Sequence, residues 1–445
     1  MRKQLVNTGV LELPAVRLRA EAIQKEERAG ELAALLNKQR LVACYSDGSK
    51  KSYRIRFRED DIAKIGAQGA GVYEVRGTAV FPEYPEILIE QRADPYVIRA
   101  DGWYYFTASY PVCGMRENEQ GVGYDRIVLR RARSIGELAA AKEVTIWHQK
   151  DSKKAFRFIW APELHCINGK WCILFTAGTS ADNVWGIRPH LLECKGGDLM
   201  NPASWGTDEN LHRMEALPEE MTAFRHFSLD MTYFEHNGRH YVVWAEVPEQ
   251  DSNLYIAEID PEEPWRLKSA AVQISAPEYG WERRGGVQVN EGPAVLFHGR
   301  KVYLAFSASA VDYNYCVGML EAPADANLLD ASSWKKHSEP LLMSSDFTNQ
   351  CGPGHNSFTT DENGNVVLVY HARPYECSNA QDASGHYGDC GYTKPGEHGL
   401  SDPCRHARAK SVNFAADGTP VLHLAPCEEL LDAYRDVVLC VIVEA

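Results

Sequence analysis

The sequence predicts an all-β fold in which a five-bladed β-propeller follows a small β-sandwich. Two observations lead to this prediction. Five segments of similar pattern recur along the chain with a period of about 65 residues, and each contains a hairpin signal between two apolar runs. Before the first of these segments, shorter strand-like runs alternate polar and apolar residues. We therefore expect two domains, a sandwich over residues 1–88 and a propeller over residues 89–445.

Each repeat has an apolar run, a short turn that contains glycine, and an aromatic-rich run. The repeats begin at Ala93, Ala161, Leu229, Asn290 and Gly354, and their turn glycines are Gly102, Gly169, Gly238, Gly299 and Gly364. Asp-Gly and Asn-Gly pairs favour type I′ hairpins, because this turn needs positive φ at both central residues. Units that hold about four short strands and repeat radially form a propeller. A β-sandwich with regular hairpins is the main alternative, but it gives no reason for the period.

The segment before the repeats is predicted to be a small β domain with one helix. Strand-like runs cover residues 15–19, 40–45, 51–58 and 72–80, and a Ser-Asp-Gly turn lies between the second and the third. Residues 20–39 have helical propensity, although Gly30 interrupts them. Two prolines, Pro82 and Pro85, mark the predicted domain boundary.

The charge and hydropathy of the chain argue against two classes of partner. The 445 residues carry a formal net charge of −14, which disfavours a nucleic-acid partner because such proteins need a basic face. No run approaches the ~18 consecutive apolar residues of a membrane span. The first residues lack the apolar centre of a secretory signal. We expect a cytoplasmic protein, or a secreted one if a signal has been removed.

The 12 cysteines form no recognisable framework. No Cys-x-x-Cys pair occurs, which excludes zinc ribbons and thioredoxin-like motifs. A glycine-rich loop combines three cysteines with three histidines, namely Cys377, Cys390, Cys404, His386, His398 and His406. A zinc-stapled loop stays open here, but reduced thiols in a cytosolic protein are the simpler interpretation.

Three acidic residues lie at the same distance from the turn glycine in three repeats. Asp94, Asp230 and Glu291 each precede that glycine by eight residues. Equivalent positions of a radially repeated fold occupy equivalent places, so we expect the three carboxylates to converge on one end of the central channel. Glycoside hydrolysis uses such a group, because one carboxyl protonates the leaving oxygen while another activates water. A single Asp at a strand start usually caps a turn, but three at one repeat position predict a catalytic cluster.

Two further side chains have both a functional and a structural interpretation. Trp160 precedes Ala-Pro-Glu in the second repeat, where its ring could form a platform for a sugar or pack between blades. His355 belongs to the fifth repeat and lies nine residues before Gly364, one residue out of register with the carboxylates. A lone histidine is usually a satisfied polar residue, so its position in the channel is what makes it a candidate.

Seven motifs together resemble glycoside hydrolase family 43, the five-bladed group of arabinofuranosidases, xylosidases and arabinanases. They are ADPYVIR at 93–99, WAPELH at 160–165, SLDMTYF at 228–234, NEGPAVL at 290–296, GPGHNSF at 352–358, YHARPY at 370–375 and RHARAKSVNFAADGTP at 405–420. The first domain is similar to the bacterial immunoglobulin-like modules that precede some members. LPAVRLRA at 13–20, YSDGS at 45–49 and YEVRGTAVFPEYP at 73–85 carry that similarity.

The resemblance implies a role for each site residue. Asp94 takes the position of the general base and Glu291 that of the general acid, while Asp230 orients the acid and raises its pKa. Arg405 matches an arginine that reaches the sugar, a task for which its fixed fork of donors is suited. His355 matches a channel histidine that helps to hold a cation through water, with calcium as the first candidate. The chemistry itself requires no cofactor, and a single displacement inverts the anomeric configuration.

The sequence therefore predicts an inverting exo-glycosidase that removes terminal α-L-arabinofuranosyl residues from plant-cell-wall-derived oligosaccharides. The arabinose preference comes from SASAVDYNYCVGML at 307–320 and YHARPY at 370–375, which look like arabinofuranosidase-type members. A β-D-xylosidase, a β-D-galactofuranosidase and a non-catalytic glycan-binding propeller stay open as alternatives. The Asn-Asp-Pro-Asn-Gly motif of family 32 fructosidases is absent from the chain.

Overall fold

The computed structural model describes residues 6–19, 28–80, 84–111, 123–180, 183–219, 222–377 and 404–445. The chain divides into two compact units. The first consists of Met1–Glu83, Thr360–Val366 and Ser411–Ala445, and the second of Tyr84–Thr359 and Val367–Lys410. No helix in the described part of the chain has the length and the apolar run that a membrane span requires.

The N-terminal part of the first unit alternates strands and helices. Its elements are β1 (Asn7–Val10), β2 (Val16–Arg19), α1 (Arg28–Leu36), β3 (Arg40–Tyr45), β4 (Lys50–Phe57), α2 (Glu59–Gln68) and β5 (Gly71–Val80). In β4 every second residue is buried, including Tyr53, Ile55 and Phe57, as expected for a strand with one face on a core. Helix α2 begins with three acidic residues, which interact favourably with the positive end of the helix dipole.

The second unit contains five antiparallel sheets that follow one another along the chain. The first comprises β6 (Ala93–Ala100), β7 (Trp103–Ser109), β8 (Arg126–Ala132) and β9 (Val144–His148), and the second β10 (Phe156–Ile167), β11 (Lys170–Gly178), β12 (Ile187–Glu193) and β13 (Leu211–Arg213). The third comprises β14 (Phe227–His236), β15 (Arg239–Val247), β16 (Asn253–Glu258) and β17 (Val272–Ser275), and the fourth β18 (Asn290–His298), β19 (Lys301–Ala308), β20 (Cys316–Pro323) and β21 (Lys335–Lys336). The fifth comprises β22 (Gln350–Thr360), β23 (Val366–Pro374) and β24 (His406–Ser411).

Apolar clusters lie between neighbouring sheets of this unit. They join the first sheet to the second, the second to the third, the third to the fourth, and the fifth to the first. Strands β7, β11, β15, β19 and β23 supply fully buried side chains such as Phe106, Phe175, Trp244, Phe306 and Val369. These strands are apolar on both faces because a neighbouring sheet covers each side. The predicted all-β propeller is confirmed.

The C-terminal residues return to the first unit. The remaining elements are β25 (Asn413–Phe414), β26 (Pro420–Val421), α3 (Pro426–Glu429) and β27 (Asp436–Glu444). Strand β27 pairs antiparallel with β5 and parallel with β2. It thereby completes a mixed sheet in the order β1-β3-β4-β5-β27-β2.

This sheet corrects the predicted sandwich and the predicted boundaries. In the described residues the first unit has a six-stranded sheet, a two-stranded sheet of β25 and β26, and helices, and all five strands from residues 6–80 belong to the one six-stranded sheet. Strand β27 of this sheet comes from residues 436–444, which the sequence interpretation assigned to the propeller over 89–445. The alternation of buried Leu439, Val441 and Val443 identifies a strand. Alternation does not identify the partner, because pairing between distant parts of a chain leaves no local pattern.

The first four hairpin turns of the inner strands are of two kinds. Both central residues have positive φ at Asp101 and Gly102, at Asn168 and Gly169, and at Asn237 and Gly238, as in type I′ turns. In the fourth hairpin, where His298 pairs with Lys301, Gly299 is the first central residue and has the only positive φ. That is the pattern of a type II′ turn. The turn glycine of the fourth repeat therefore lies one residue earlier than in the first and third.

This difference changes the repeat position of Glu291. Glu291 pairs with Ser307 just as Ala93 pairs with Ser109, so it lies one residue before the position of Asp94. The prediction that the three carboxylates share one repeat position was therefore wrong for Glu291. The equivalent position in the fourth sheet holds Gly292, and in the fifth sheet it holds His355, as the backbone conformation shows.

A left-handed residue marks this position in all five inner strands. The five residues are Asp94, Ala161, Asp230, Gly292 and His355, with φ of 55°, 45°, 56°, 55° and 41°. In the first four sheets it lies in a β-bulge, where the register of strand pairing shifts. For residues other than glycine this conformation costs about 1–3 kcal/mol each, and it persists where surrounding contacts impose it.

Hydrogen bonds from these five residues connect the sheets into a ring. Each backbone N–H donates to a side chain of the preceding sheet, and the acceptors are His371 Nδ1, Ser109 Oγ, Thr176 Oγ1, Asp230 Oδ2 and Ser307 Oγ in that order. The acceptor for the first sheet comes from the fifth, so the ring is closed. The position that carries three of the predicted site residues, Asp94, Asp230 and His355, is thus also the position at which hydrogen bonds join neighbouring sheets.

Candidate active site

The Asp94 carboxylate is surrounded by polar and positively charged side chains. The side chain is 7% exposed. Ser109 Oγ donates to Oδ2 at 2.5 Å, and Arg405 Nη1 donates to Oδ1 at 3.3 Å. The imidazoles of His355 and His371 each place Nδ1 3.3 Å from Oδ1. Asp94, Arg405 and His355 are therefore brought together, as the sequence predicted.

These contacts determine the charge of Asp94. Burial raises the pKa of the carboxyl, but the positive charges of His355 and Arg405 outweigh burial and hold the pKa well below its usual range. The group is therefore ionised throughout the neutral pH range. An ionised, oriented carboxylate can accept a proton from a water molecule.

His371 supports Asp94 as a neutral group. Its Nδ1 accepts the backbone N–H of Asp94 at 3.1 Å. The side chain is completely buried, and burial lowers the pKa of the imidazole to about 3. The ring of Tyr315 stacks on it at 5.6 Å with an interplanar angle of 5°. His371 therefore fixes the bulged backbone of Asp94 without adding a charge.

His355 lies between two carboxylates. Its Nδ1 is 3.3 Å from Asp94 Oδ1 and 3.8 Å from Asp230 Oδ2. Burial lowers the pKa of the imidazole, but the charges of Asp94 and Asp230 oppose burial and the net result is a raised pKa. The imidazolium can therefore bridge the two acids.

Asp230 differs from Asp94 although the two share a repeat position. Its Oδ2 accepts the Gly292 N–H at 3.2 Å. Burial raises the pKa of Asp230 to about 7, with a contribution from the negative charge of Glu291, while His355 lowers it. Asp230 can therefore exchange its proton near neutral pH and influence the ionisation of Glu291.

Glu291 accepts its hydrogen bond from an uncharged group. Its Oε1 accepts a hydrogen bond from the Tyr315 hydroxyl at 2.7 Å. Burial raises the pKa of the carboxyl, the hydrogen bond from Tyr315 lowers it, and the net result is a raised pKa. A carboxyl whose pKa is raised keeps its proton at higher pH and can act as an acid.

Aromatic side chains extend the site from Arg405. Arg405 Nη2 is 3.5 Å from the Tyr124 hydroxyl. The Tyr124 ring meets Trp160 edge-on, with 6.2 Å between ring centroids, and Phe158 meets Trp160 at 5.8 Å. Trp160 is half-buried and also packs on the apolar cluster between the third and fourth sheets. The structural role of Trp160 is therefore visible, and its use as a sugar platform stays a prediction.

The sequence interpretation missed three residues that contact the predicted site. Ser109 bonds Asp94, His371 fixes the Asp94 backbone, and Tyr315 bonds Glu291. His371 and Tyr315 lie inside the motifs at 370–375 and 307–320, which support the family resemblance or the substrate preference but predict no role for these two residues. The pairing of Ser109 with Ala93 across the first hairpin was a signal that could have identified the serine.

The donor set of the site does not fit a directly bound metal ion. Within the described ranges no three His, Cys, Asp or Glu side chains are grouped so that they could hold one. His355 directs Nδ1 at two carboxylates, and calcium prefers six to eight oxygen ligands. The calcium predicted at His355 through water therefore stays a prediction, and no chemical step is assigned to it. The predicted zinc-stapled loop depends on Cys390, His386 and His398, which lie outside the described residues.

Comparisons with known proteins identify related sequences. A family model for "Glycosyl hydrolases family 43" matches residues 84–420. An "Extracellular exo-alpha-(1->5)-L-arabinofuranosidase" from Streptomyces avermitilis is 43% identical over 338 residues, which are 75% of this chain and 62% of that protein. "Alpha-L-arabinofuranosidase 43" from Humicola insolens is 41% identical over 343 residues, 76% of this chain and 62% of that protein. The chain thus spans less than two thirds of the length of these two curated relatives.

Solved structures agree with the sequence matches. The crystal structure of an α-L-arabinofuranosidase from Lactobacillus brevis is 39% identical, with a TM-score of 0.62 over 76% of this chain and 95% of that one. A thermostable family-43 glycoside hydrolase has a TM-score of 0.55 at 21% identity over 76% of this chain and 95% of that one, which shows the fold alone. The family model covers most of the chain, and it includes every residue of the site described above. The chain belongs to glycosyl hydrolase family 43.

Proposed function

We propose that this protein hydrolyses terminal α-L-arabinofuranosyl residues from oligosaccharides with inversion of configuration. The observation that carries the proposal is the opposite electrostatic environment of two acidic residues in one channel. The pKa of Asp94 is held well below its usual range, while the pKa of Glu291 is raised. Inverting hydrolysis requires this division, with an ionised carboxylate to activate water and a protonated one to release the leaving group.

Each of the two carboxyls has one task in this proposal. The Asp94 carboxylate takes a proton from a water molecule as its oxygen forms a bond to the anomeric carbon. Glu291 donates its proton to the glycosidic oxygen as the bond from that oxygen to the anomeric carbon breaks. The products are the free sugar, inverted at the anomeric carbon, and the shortened oligosaccharide. Asp94 ends protonated and Glu291 ionised, and exchange with solvent restores both.

The remaining site residues orient and tune this pair. Arg405 donates to Asp94 and presents further guanidinium donors for sugar hydroxyls. His355 holds Asp94 and Asp230 together. Burial and the negative charge of Asp94 raise the pKa of Glu291, and in this proposal Asp230 adds to that effect when it is ionised. A glycan-binding propeller without activity would need none of these pKa differences.

The substrate class and the location come from the relatives. Two relatives from Streptomyces are named extracellular exo-α-(1→5)-L-arabinofuranosidases, at 43% and 42% identity. We therefore favour exo-cleavage of α-1,5-linked arabinofuranosyl chains over the xylosidase and galactofuranosidase alternatives. The names of these relatives favour an extracellular protein and give no support to the predicted cytoplasmic location.

A substrate panel tests this proposal. Nitrophenyl glycosides of α-L-arabinofuranose, β-D-xylose and β-D-galactofuranose are compared with α-1,5-arabino-oligosaccharides and xylo-oligosaccharides. We expect release of arabinose from the arabinofuranoside and from the chain end of the arabino-oligosaccharides. Proton NMR of the first product should show the inverted anomer. Faster cleavage of a xylosyl or galactofuranosyl substrate, or formation of the retained anomer, would contradict the proposal.

A further inference from the structure

A cleft of about 560 Å³ opens beside Glu291. Trp185, Phe227 and Val287 line it, together with Gln250, Gln288 and Asp312 among its polar residues. Neither Asp94 nor Asp230 is among its lining residues. The cleft therefore meets the catalytic group only on the side of the predicted acid. We name it the Trp185 cleft.

Trp185 is the most exposed tryptophan among the described residues. It is 68% exposed, although burial of so large an aromatic side chain would be strongly favourable. The indole ring lies 5.2 Å from the ring of Phe227 at 56°. Two rings from different sheets thus form an apolar surface that is open to solvent.

The position of Trp185 is fixed by its backbone. It belongs to a short 3-10 turn over Val184–Gly186, between β11 and β12. The Trp185 N–H donates to Asn183 Oδ1 at 3.1 Å, and the Trp185 carbonyl accepts from Arg188 Nη1 at 3.3 Å. A fixed, exposed aromatic ring is available for a ligand at little cost in ordering.

The polar groups of the cleft suit a neutral, hydroxylated ligand. Gln250 and Gln288 supply amide donors and acceptors, and no Lys, Arg or His is among the lining residues. An anionic ligand would lack a partner. A sugar can place its apolar face on an aromatic ring while its hydroxyls bond amide groups, which is the usual combination of apolar surface and few polar groups in ligand sites.

We propose that the Trp185 cleft binds the leaving-group sugars of the oligosaccharide, with Trp185 and Phe227 as the stacking surface. This inference rests on the proposed function, because it takes Glu291 as the acid. The acid must contact the glycosidic oxygen, so the part of the substrate beyond that oxygen has to lie on the Glu291 side of the channel. The cleft that contains Glu291 and excludes Asp94 is on that side.

The test separates the leaving group from the sugar that is released. Parent and Trp185→Ala are compared on methyl α-L-arabinofuranoside, α-1,5-arabinobiose and α-1,5-arabinotriose. We expect kcat/KM to fall about tenfold on the two oligosaccharides, chiefly through KM. The methyl glycoside has no leaving-group sugar, so its kcat/KM should change by less than about twofold. Inhibition by free arabinose should also be unchanged.

Two control variants make the result specific. Trp185→Phe should keep most of the oligosaccharide activity, since an aromatic face remains. Trp171→Ala removes an indole from the same sheet at the other end of β11, and it should not change the ratio between substrates. An equal loss on all three substrates in Trp185→Ala, or no loss on any, would overturn the inference.

A binding measurement keeps this inference distinct from the proposed function. Arabinotriose is titrated into the Asp94→Asn protein while tryptophan fluorescence is followed. The titration is repeated with a double variant that carries both Asp94→Asn and Trp185→Phe. Arabinotriose should change the fluorescence more where Trp185 is present than where it is absent, because Trp160 beside Tyr124 can also respond to the sugar. Absence of hydrolysis by the parent would contradict the proposed function, whereas an identical fluorescence change with and without Trp185 would contradict the cleft assignment.

Discussion

The two sides of the catalytic channel differ in charge although each is built around an acidic side chain. On the Asp94 side, Ser109, Arg405 and His355 all contact the carboxylate. On the Glu291 side, the carboxyl accepts a hydrogen bond from an uncharged hydroxyl, that of Tyr315, and a largely apolar cleft adjoins it. The pKa of the carboxyl is therefore lowered on one side and raised on the other. The difference shows that the neighbours of a carboxyl, rather than its residue type, set its pKa.

Loss of the Asp94 carboxylate should have the largest effect. Asp94→Asn leaves no ionised group to accept the proton of water, so we expect kcat/KM to fall about 10³-fold or more on every substrate. Activity on nitrophenyl arabinofuranoside and on arabinobiose, with melting temperatures, measures this. Asp361→Asn is a matched control, because Asp361 is also a buried aspartate but accepts the backbone N–H groups of Asn363 and Asn365. Near-parent rates in Asp94→Asn would refute the assignment of the base.

The loss of rate that follows removal of the Glu291 proton should depend on the leaving group. Glu291→Gln cannot protonate a sugar hydroxyl, so arabinobiose cleavage should fall about 10²- to 10⁴-fold. A nitrophenolate departs with little protonation, and the loss on that substrate should be at least about tenfold smaller. Kinetics on both substrates measure the contrast. Equal losses on the two substrates would remove Glu291 from the role of acid.

Two neighbours of Glu291 should shift its titration in opposite directions. Activity is lost as pH rises through the pKa of Glu291, because the acid then loses its proton. Asp230→Asn removes a negative neighbour and should move this loss to lower pH. Tyr315→Phe removes a donor that stabilises the ionised form and should move the loss to higher pH. The pH dependence of kcat/KM on arabinobiose measures both shifts.

The control for these shifts is another buried tyrosine. The Tyr370 hydroxyl donates to Gln350 Oε1 at 3.0 Å, so Tyr370→Phe removes a buried hydrogen bond without touching Glu291. Tyr370→Phe should leave the pH dependence of kcat/KM unchanged. Shifts of the same sign in Asp230→Asn and Tyr315→Phe would contradict the account of the Glu291 side.

The smallest expected effect concerns the positive charge on the Asp94 side. If calcium is held through water at His355, chelation should lower the melting temperature of the parent by about 2–4 °C for each 1 kcal/mol of binding free energy lost. The same treatment should leave His355→Ala unchanged. Calorimetry before and after chelation measures this. No shift in the parent would contradict the predicted calcium and leave His355 and Arg405 as the source of the positive charge.

The repeats could be predicted from the sequence, but the exact register could not. Asp-Gly and Asn-Gly pairs identified three hairpins whose turns have the expected conformation at Gly102, Gly169 and Gly238. Gly299 looked equivalent, yet it begins a different turn type, and that moved Glu291 by one residue. Turn type depends on which strand residues pair, and a glycine alone does not specify this.

The sequence predicts that the site residues meet, but it does not predict how their neighbours shift their pKa values. Asp94, Asp230 and His355 recur at one position of a radial fold, so repetition alone predicts that they meet. The tuning of each group depends on Ser109, Arg405 and Tyr315. Arg405 and Tyr315 come from distant sequence and have no repeat signal, and Ser109 is identified only once its pairing with Ala93 is known. Strand β27 escaped prediction for the same reason, because its partners β2 and β5 are more than 350 residues away.

The central claim is that Asp94 is ionised while Glu291 is protonated in the resting enzyme. Carbon NMR of protein labelled at the carboxyl carbons of Asp and Glu tests it most directly, over about pH 4 to about pH 9. Asp94→Asn and Glu291→Gln assign the two signals by their disappearance. We expect the Asp94 signal to stay in the ionised form across this range, and the Glu291 signal to titrate above the ordinary value for a glutamic acid. An Asp94 signal that titrates above that of Glu291 would contradict the account.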